Sequence, residues 1–296
     1  MSYPFEEIII IFNPNSTGPS KQNATDLQKT LKAALPAAVK IETKGTKDVG
    51  HAEHIGASYA KNDSKTLLVS SSGDGGYNEL VNGVLQLPTH NVTVAVMPSG
   101  NANDHHHATA EAELEKRIIM GKTRMIDVLR VEALQEGKPW SRFAHSYVGI
   151  GLTAYIGEKL TKADLNPINE KWLVLKYMLR FSHVSLQLEG TQRMRAYSNV
   201  IFGNIDRMSK VIRLSNDSNI DDGEFEVYAV PSASIWKLLK ILIIGATSGF
   251  EAMTKTSSYE VETKRSYKIQ LDGEVSKIDA GKIKILMEKR GLRSLK

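Results

Sequence analysis

The sequence predicts an α/β N-terminal domain, doubly wound around a mainly parallel sheet, followed by a mainly antiparallel β-sandwich C-terminal domain with helical inserts. Up to about Thr123, short apolar runs alternate with stretches of helical periodicity, the pattern of a doubly wound sheet. Beyond it strand follows strand with few helices between, the pattern of a sandwich or barrel. In addition, residues 66–108 contain one device twice: an apolar strand, a glycine turn with an aspartate, and a polar helix start.

The elements follow in order. Glu7 to Phe12 (EIIIIF) reads as a strand buried on both faces, as central parallel strands are. The segment Asn13 to Gly18 is its loop. Leu27, Leu31, Ala34 and Leu35 share one face of a helix over Lys21 to Leu35. Ala38 to Thr43 is a second strand and His51 to Lys61 a second helix. Thr66 to Val69 and Val92 to Val96 are the strands of the repeated device. Strands are then expected at Met125–Ala133, Arg142–Val148, Val184–Leu188, Ser198–Phe202, Phe225–Val230, Ser266–Leu271 and Lys282–Met287. Helical inserts are expected at Asn169–Ser182 and from Ser232 to about Met253. The pattern switch sets domains at 1–123 and 124–290.

Composition narrows the class. The chain has 296 residues, 41% hydrophobic and 24% charged, which suits two globular domains. It has no cysteine, which excludes disulfides and cysteine zinc sites and fits a reducing, cytoplasmic compartment. The N-terminus reads as neither a signal peptide nor a span, and the apolar stretch Ile235–Ile244 is too short to cross a bilayer. A net charge of +5 suits anionic partners, or simple solubility. No aromatic-and-basic pattern points to nucleic acid.

The repeated device is where chemistry is expected. Gly73, Gly75 and Gly76 form one turn, Ser99 and Gly100 the other. Glycine lets backbone N–H groups approach a ligand, and a following helix adds unpaired N–H groups and a positive dipole end. Two such ends on one sheet make a phosphate site, where Asp74 and Asp104 are candidates to hold Mg²⁺ or take a proton. The alternative is an ordinary βα loop. GxxxxGK[ST] is absent, and Asn78 breaks the dinucleotide fingerprint at its last glycine.

Ser72-Gly73-Asp74-Gly75-Gly76-Tyr77-Asn78-Glu79-Leu80-Val81-Asn82-Gly83 resembles the GGDGTxNEVxNG hallmark of the diacylglycerol kinase catalytic domain family, which includes bacterial lipid kinases and sphingosine and ceramide kinases. Pro98-Ser99-Gly100-Asn101-Ala102-Asn103-Asp104 resembles its PxGTxND motif. The likeness continues through Ile126-Asp127-Val128, Val148 to Ala154, Gly203-Asn204, Asp221-Asp222-Gly223 and Leu271-Asp272-Gly273-Glu274. It implies an ATP-dependent lipid kinase of phospholipid metabolism. Phosphates would lie across Ser72–Gly76 and Gly100–Asn101, with Asn78 and Glu79 completing the motif and adenine near Asn13, Pro14 and Thr43. Asp272 would be the base that deprotonates a diacylglycerol-like hydroxyl, beside Glu274, Asp74 and Asp104. Asp222 would hold a structural Mg²⁺, and residues from about 291 would return to the first domain. The lipid would enter between the domains.

The residues also read independently. Strand alternation would place Asp272 and Glu274 on one face, a pair able to divide base and metal roles, whereas a DG hairpin turn is the plainer reading. His105, His106 and His107 point about 100° apart in a helix and cannot share one ion, so a structural or phosphate-side role is expected. The glycine spacing around Asp217–Gly223 does not fit an EF-hand. Trp236, Leu238, Leu239, Leu242 and Ile243, with Lys237 and Lys240, form either a core helix or one that meets a membrane surface reversibly; Trp172, Leu175, Met178 and Leu179 pose the same choice. Several positions depart from the family: Gly76 and Asn101 replace threonines, Ser72 a glycine, Asn216 and Ser218 a proline and an alanine, and Thr153 an aspartate. These departures leave open a non-catalytic nucleotide- or lipid-binding protein, or a kinase for a soluble alcohol. The acceptor, the nucleotide donor and any homodimer are left open too.

Overall fold

A computed structural model describes residues 3–16, 18–88, 91–100, 102–161, 167–208, 212–214 and 218–296, without the side chains of 161, 167–171 and 242. Asn101, Asn216, Asp217 and the Leu242 side chain therefore lie outside the described residues. The chain divides into two compact units, Met1–Val128 with Lys289–Lys296, and Leu129–Glu288.

The first unit alternates strand and helix: β1 (Glu7–Phe12), α1 (Ser20–Ala34), β2 (Lys40–Gly45), α2 (His51–Ala60), β3 (Thr66–Ser72), α3 (Asp74–Val84), β4 (Val92–Pro98), α4 (Asp104–Thr109) and α5 (Leu114–Met120). β1 pairs in parallel with β2 and β3, and β3 with β4. Ile8 to Ile11 and the whole of β3 are buried, because helices cover both faces of such a sheet. Leu27 and Leu31 of α1 pack on Ile8, Ile10 and Val69. α2 and α3 meet through glycines: a Cβ on Gly83 would lie 2.0 Å from Glu53 O, and one on Gly56 2.6 Å from Leu80 O.

The second unit is mostly antiparallel. It comprises β5 (Thr123–Gln135), β6 (Lys138–Ala144), β7 (Tyr147–Gly151), α6 (Leu152–Thr161), α7 (Pro167–Arg180), β8 (Val184–Leu188), β9 (Arg195–Gly203), the short pair β10 (Arg207–Met208) and β11 (Ile212–Arg213), β12 (Phe225–Pro231), α8 (Ile235–Thr247), β13 (Thr254–Thr256), β14 (Ser258–Thr263), β15 (Tyr267–Leu271), β16 (Glu274–Ile278) and β17 (Gly281–Leu295). Alternation is regular: Val184, Leu186 and Leu188 of β8, and Ile283, Ile285 and Met287 of β17, point into one core. That core also takes Leu129, Val131, Val148, Phe202, Val227 and Val261.

The end of β17 belongs to the first unit, where Ser294 pairs in parallel with Val94. Arg117 Nη2 donates to Leu295 O at 2.7 Å, and Asp127 Oδ1 accepts from the Arg290 N–H at 2.6 Å.

Three expectations are corrected. The strand expected over Arg142–Val148 is two, β6 and β7, because His145 and Ser146 turn their N–H groups toward Asp272. The helix expected from Ser232 to about Met253 spans only Ile235–Thr247 and ends before Gly249, whose φ is 77°. α6 has no counterpart among the expected helices; its first three residues, Leu152 to Ala154, end the Val148–Ala154 motif.

Candidate functional site

In the first unit, the turns after β3 and β4 touch backbone to backbone. A Cβ on Gly100 would lie 2.3 Å from Gly73 Cα, so that crossing needs glycine. Below it the Ser71 and Ser99 hydroxyls lie 3.0 Å apart, Asn23 Nδ2 donates to Ser99 Oγ at 3.1 Å, and the Ser99 N–H donates to Ser72 O at 3.1 Å. The Asn13 N–H donates to Ser20 Oγ at 3.2 Å, and the Ser71 hydroxyl to Ser20 O at 2.9 Å. These bonds tie together the loops after β1, β3 and β4. Asn13 and Pro14 are exposed beside them, and half-buried Thr43 pairs with Ile10 on β2. α3 starts after Gly73 without a side-chain cap from that residue, and Gly75 and Gly76 in its first turn let a ligand approach the backbone.

The second helix end differs from the expectation. Asp74 Oδ2 accepts from the Asp104 N–H at 3.1 Å and Oδ1 from the His105 N–H at 3.2 Å, so α4 already has an anion at its N-terminus. Asp74 thus acts as a cap, and Asp104 is buried. Asn103, at φ 54°, closes the loop: Oδ1 accepts from the Gly100 N–H at 3.1 Å and Nδ2 donates to Gly100 O at 2.9 Å. Other motif residues also face inward. Glu79 Oε1 accepts from the Gly50 N–H at 2.9 Å at the start of α2, and Asn82 Nδ2 donates to Asn78 O at 2.9 Å. His105 is buried with its ring 5.3 Å from that of Tyr77, while burial pushes His106 below the usual histidine range.

In the second unit, Asp272 and Gly273 turn the β15–β16 hairpin. Their φ values of 49° and 99° are both positive, as a two-residue I′ turn requires. Asp272 and Glu274 therefore do not share one face of a strand: the hairpin turn separates them, and Glu274 pairs with Leu271 across it. Yet Asp272 is no solvated turn residue. Its exposure is 0%; Oδ2 accepts from the His145 N–H at 2.7 Å, and Oδ1 from those of Ser146 at 3.0 Å and Tyr147 at 2.8 Å. His145 Nε2 lies 3.3 Å from Oδ2, and Asn204 Nδ2 donates to His145 O at 3.1 Å. Nothing in the sequence singled out His145, which precedes the recognisable motif.

Tyr147 also lines a cavity of about 200 Å³. Ile156, Met178, Leu238 and Phe250 supply apolar wall, and Thr153, Asn199 and Gln270 supply uncharged polar groups; among the described residues no acidic or basic side chain lines it. Thr153, in place of the family aspartate, donates its N–H and hydroxyl to Asn199 Oδ1 at 3.2 and 3.0 Å. Val174 and Met178 of α7 and Leu238 and Ile241 of α8 face this cavity. The same helices expose Trp172 (72%), Leu179 (62%), Trp236 (79%) and Ile243 (65%) elsewhere, alongside exposed Lys176, Lys237 and Lys240.

The expected metal ligand Asp222 does not fit a divalent cation as placed. Lys255 Nζ sits 2.7 Å from its Oδ2, and Oδ1 accepts from the Glu224 N–H at 3.0 Å. Among the described residues no three acidic, histidine or cysteine side chains converge as a metal site.

The diacylglycerol kinase catalytic domain matches residues 7–131. A diacylglycerol kinase of Staphylococcus epidermidis is 26% identical over 281 residues, covering 85% of this chain and 84% of its own. One from Bacillus subtilis is 24% identical over 279 residues, covering 90% and 88%. The crystal structure of a diacylglycerol kinase from Bacillus anthracis superposes with a TM-score of 0.69 at 21% identity, over 98% of this chain and 97% of that one. Yeast NADH kinase complexed with NADH shares the fold more distantly, with a TM-score of 0.53 at 10% identity over 98% and 82%. With its glycine turns, its parallel-sheet first unit and its antiparallel second unit, the chain resembles diacylglycerol kinases over most of its length, and residues 7–131 match their catalytic domain.

Proposed function

We propose that the protein transfers the γ-phosphoryl group of ATP to the hydroxyl of a diacylglycerol-like lipid. The observation that carries the acceptor is the uncharged apolar cavity of the second unit. Acyl chains gain about 0.8 kcal/mol for each CH₂ taken from water. A cavity without acidic or basic lining favours a neutral headgroup, because an ammonium there would lack a counter-charge. In the first unit, Gly73–Gly76 and Gly100 suit nucleotide phosphates, with adenine toward Asn13, Pro14 and Thr43. Mg²⁺ would come with the nucleotide and neutralise phosphate charge; among the described residues no three acidic, histidine or cysteine side chains form a cage for it.

In the transfer, the lipid oxygen bonds to the γ-phosphorus, the β–γ bridging bond breaks, and ADP leaves. Such reactions depend chiefly on position and charge. Asp272 is the proposed proton acceptor. It lies beside the cavity wall, since it bonds the backbone of Tyr147 and follows Gln270 by two residues. Oδ2 can accept a further hydrogen bond beside that of His145, but at 0% exposure Asp272 needs neighbouring atoms to move before a substrate hydroxyl reaches it. That requirement also supports a second reading, a lipid- and nucleotide-binding protein in which Asp272 only braces the turn at His145–Tyr147.

Transfer of radiolabelled phosphate from ATP to neutral lipids, amino lipids and soluble alcohols tests both. Labelled neutral lipid is expected, and Asp272→Asn should reduce turnover by about 10²–10⁴-fold with little change in nucleotide affinity. Binding of ATP and lipid without transfer would leave the second reading, and unchanged turnover in the variant would remove Asp272 as base.

A further inference from the structure

We infer that Lys255 is the built-in cation of the Asp221–Gly223 turn and holds it without a divalent metal. Kinship implies a structural Mg²⁺ at this turn, and the side chains present argue for a different arrangement. Lys255 lies on β13 directly opposite Glu226 of β12, so the strand register itself delivers its ammonium to the site. The Nζ is 2.7 Å from Asp222 Oδ2 and 3.6 Å from Glu226 Oε1. Glu226 is buried, and its Oε2 accepts from the Ser218 hydroxyl at 2.9 Å. One lysine thus lies between two carboxylates from the turn and the strand that follows it, where a divalent ion would bring two carboxylates together.

The electrostatics agree with the geometry. Burial pushes the Glu226 carboxyl up, and Ser218 and Lys255 oppose that rise. The bond to Asp222 raises the Lys255 ammonium, so it stays charged throughout the physiological range. An Mg²⁺ ion would have to displace this ammonium and shed tightly held water to reach Asp222 and Glu226.

Thermal unfolding of the nucleotide-free protein tests the inference. The wild-type midpoint should be the same in EDTA and in millimolar Mg²⁺ or Ca²⁺. Lys255→Met should lower it by about 2–5 °C in EDTA, the usual scale for a modest loss in a chain this long. Divalent cation should then raise the Lys255→Met midpoint again, because the two carboxylates have lost their counter-charge. Lys255→Arg should behave as the wild type. A wild-type midpoint that rises with Mg²⁺, and stops doing so in Asp222→Asn, would overturn the inference. So would a Lys255→Met protein that ignores divalent cations. No ATP or lipid is present, so the result stands apart from the outcome of the phosphoryl-transfer assay.

Discussion

Ser72 and Gly76 depart from the family motif together, and one contact accounts for both. A Cβ on Gly76 would lie 2.8 Å from both Cβ and Oγ of Ser72, so a side chain at one position excludes a side chain at the other. Gly76→Thr alone should therefore weaken ATP binding and lower the unfolding midpoint. The double variant Ser72→Gly/Gly76→Thr should recover both, and calorimetry with ATP checks the pair. Additive losses in the double variant would show that the positions are independent. Tyr259 makes a pH-dependent case. Its hydroxyl is buried without a hydrogen-bond partner among the described residues, and its ring lies 5.7 Å from Phe202. Burial pushes its pKa to about 12, against about 10 in an unfolded chain. The folded state thus holds this proton more tightly, so stability is complete below about pH 10 and declines as pH rises toward 12. Tyr3 shifts the same way. Tyr259→Phe should flatten the alkaline limb of the stability curve, measured by urea unfolding between pH 9 and pH 12.

Among the elements, α2 and α3 show why certain glycines stand where they do. Both helices belong to the first unit, and α3 begins at the Gly73–Gly76 turn. Gly56 and Gly83 allow the helix backbones to meet, and Glu79 of α3 accepts the N–H of Gly50 at the head of α2. Gly83 would otherwise be a poor helix residue, by about 1 kcal/mol relative to alanine. Gly83→Ala should nevertheless destabilise by about 1–3 kcal/mol, because its Cβ would fall 2.0 Å from Glu53 O and force the helices apart. A gain in denaturation midpoint would show that the crossing has slack. Because α3 carries Gly75 and Gly76, the same change should raise the KM for ATP more than it alters the KM for lipid.

For the whole molecule, the C-terminal residues return to the first unit: Ser294 pairs with Val94, and Leu292 and Leu295 are buried there. No helix among the described residues is long and apolar enough to cross a membrane. If the substrate is a bilayer lipid, the protein must meet the surface reversibly, and exposed Trp172, Trp236, Ile243, Lys237 and Lys240 suit that role. Each lysine near an anionic surface contributes about 1 kcal/mol. Lys237→Glu/Lys240→Glu should therefore reduce co-sedimentation with anionic vesicles by about 10- to 100-fold, with ATP affinity unchanged. Binding that ignores vesicle charge and salt would sink the idea.

The sequence alone determined the elements whose signal is local. EIIIIF became β1 and the alternating VSLQL became β8, because burial patterns act on adjacent residues, and the glycine turns appeared at Gly73 and Gly100. Tertiary structure decided what those residues bond. Asp74 reads as a metal or proton ligand from the sequence, and only the fold shows that each of its oxygens accepts an N–H at the start of α4. Asp272 reads as half of a strand pair until a hairpin turn places it under the N–H groups of His145, Ser146 and Tyr147, over 120 positions away in the chain. Asp222 reads as a metal ligand until β13 lays Lys255 across it. A carboxylate's role depends on which donors reach it, and those donors come from strands that only the folded chain brings together.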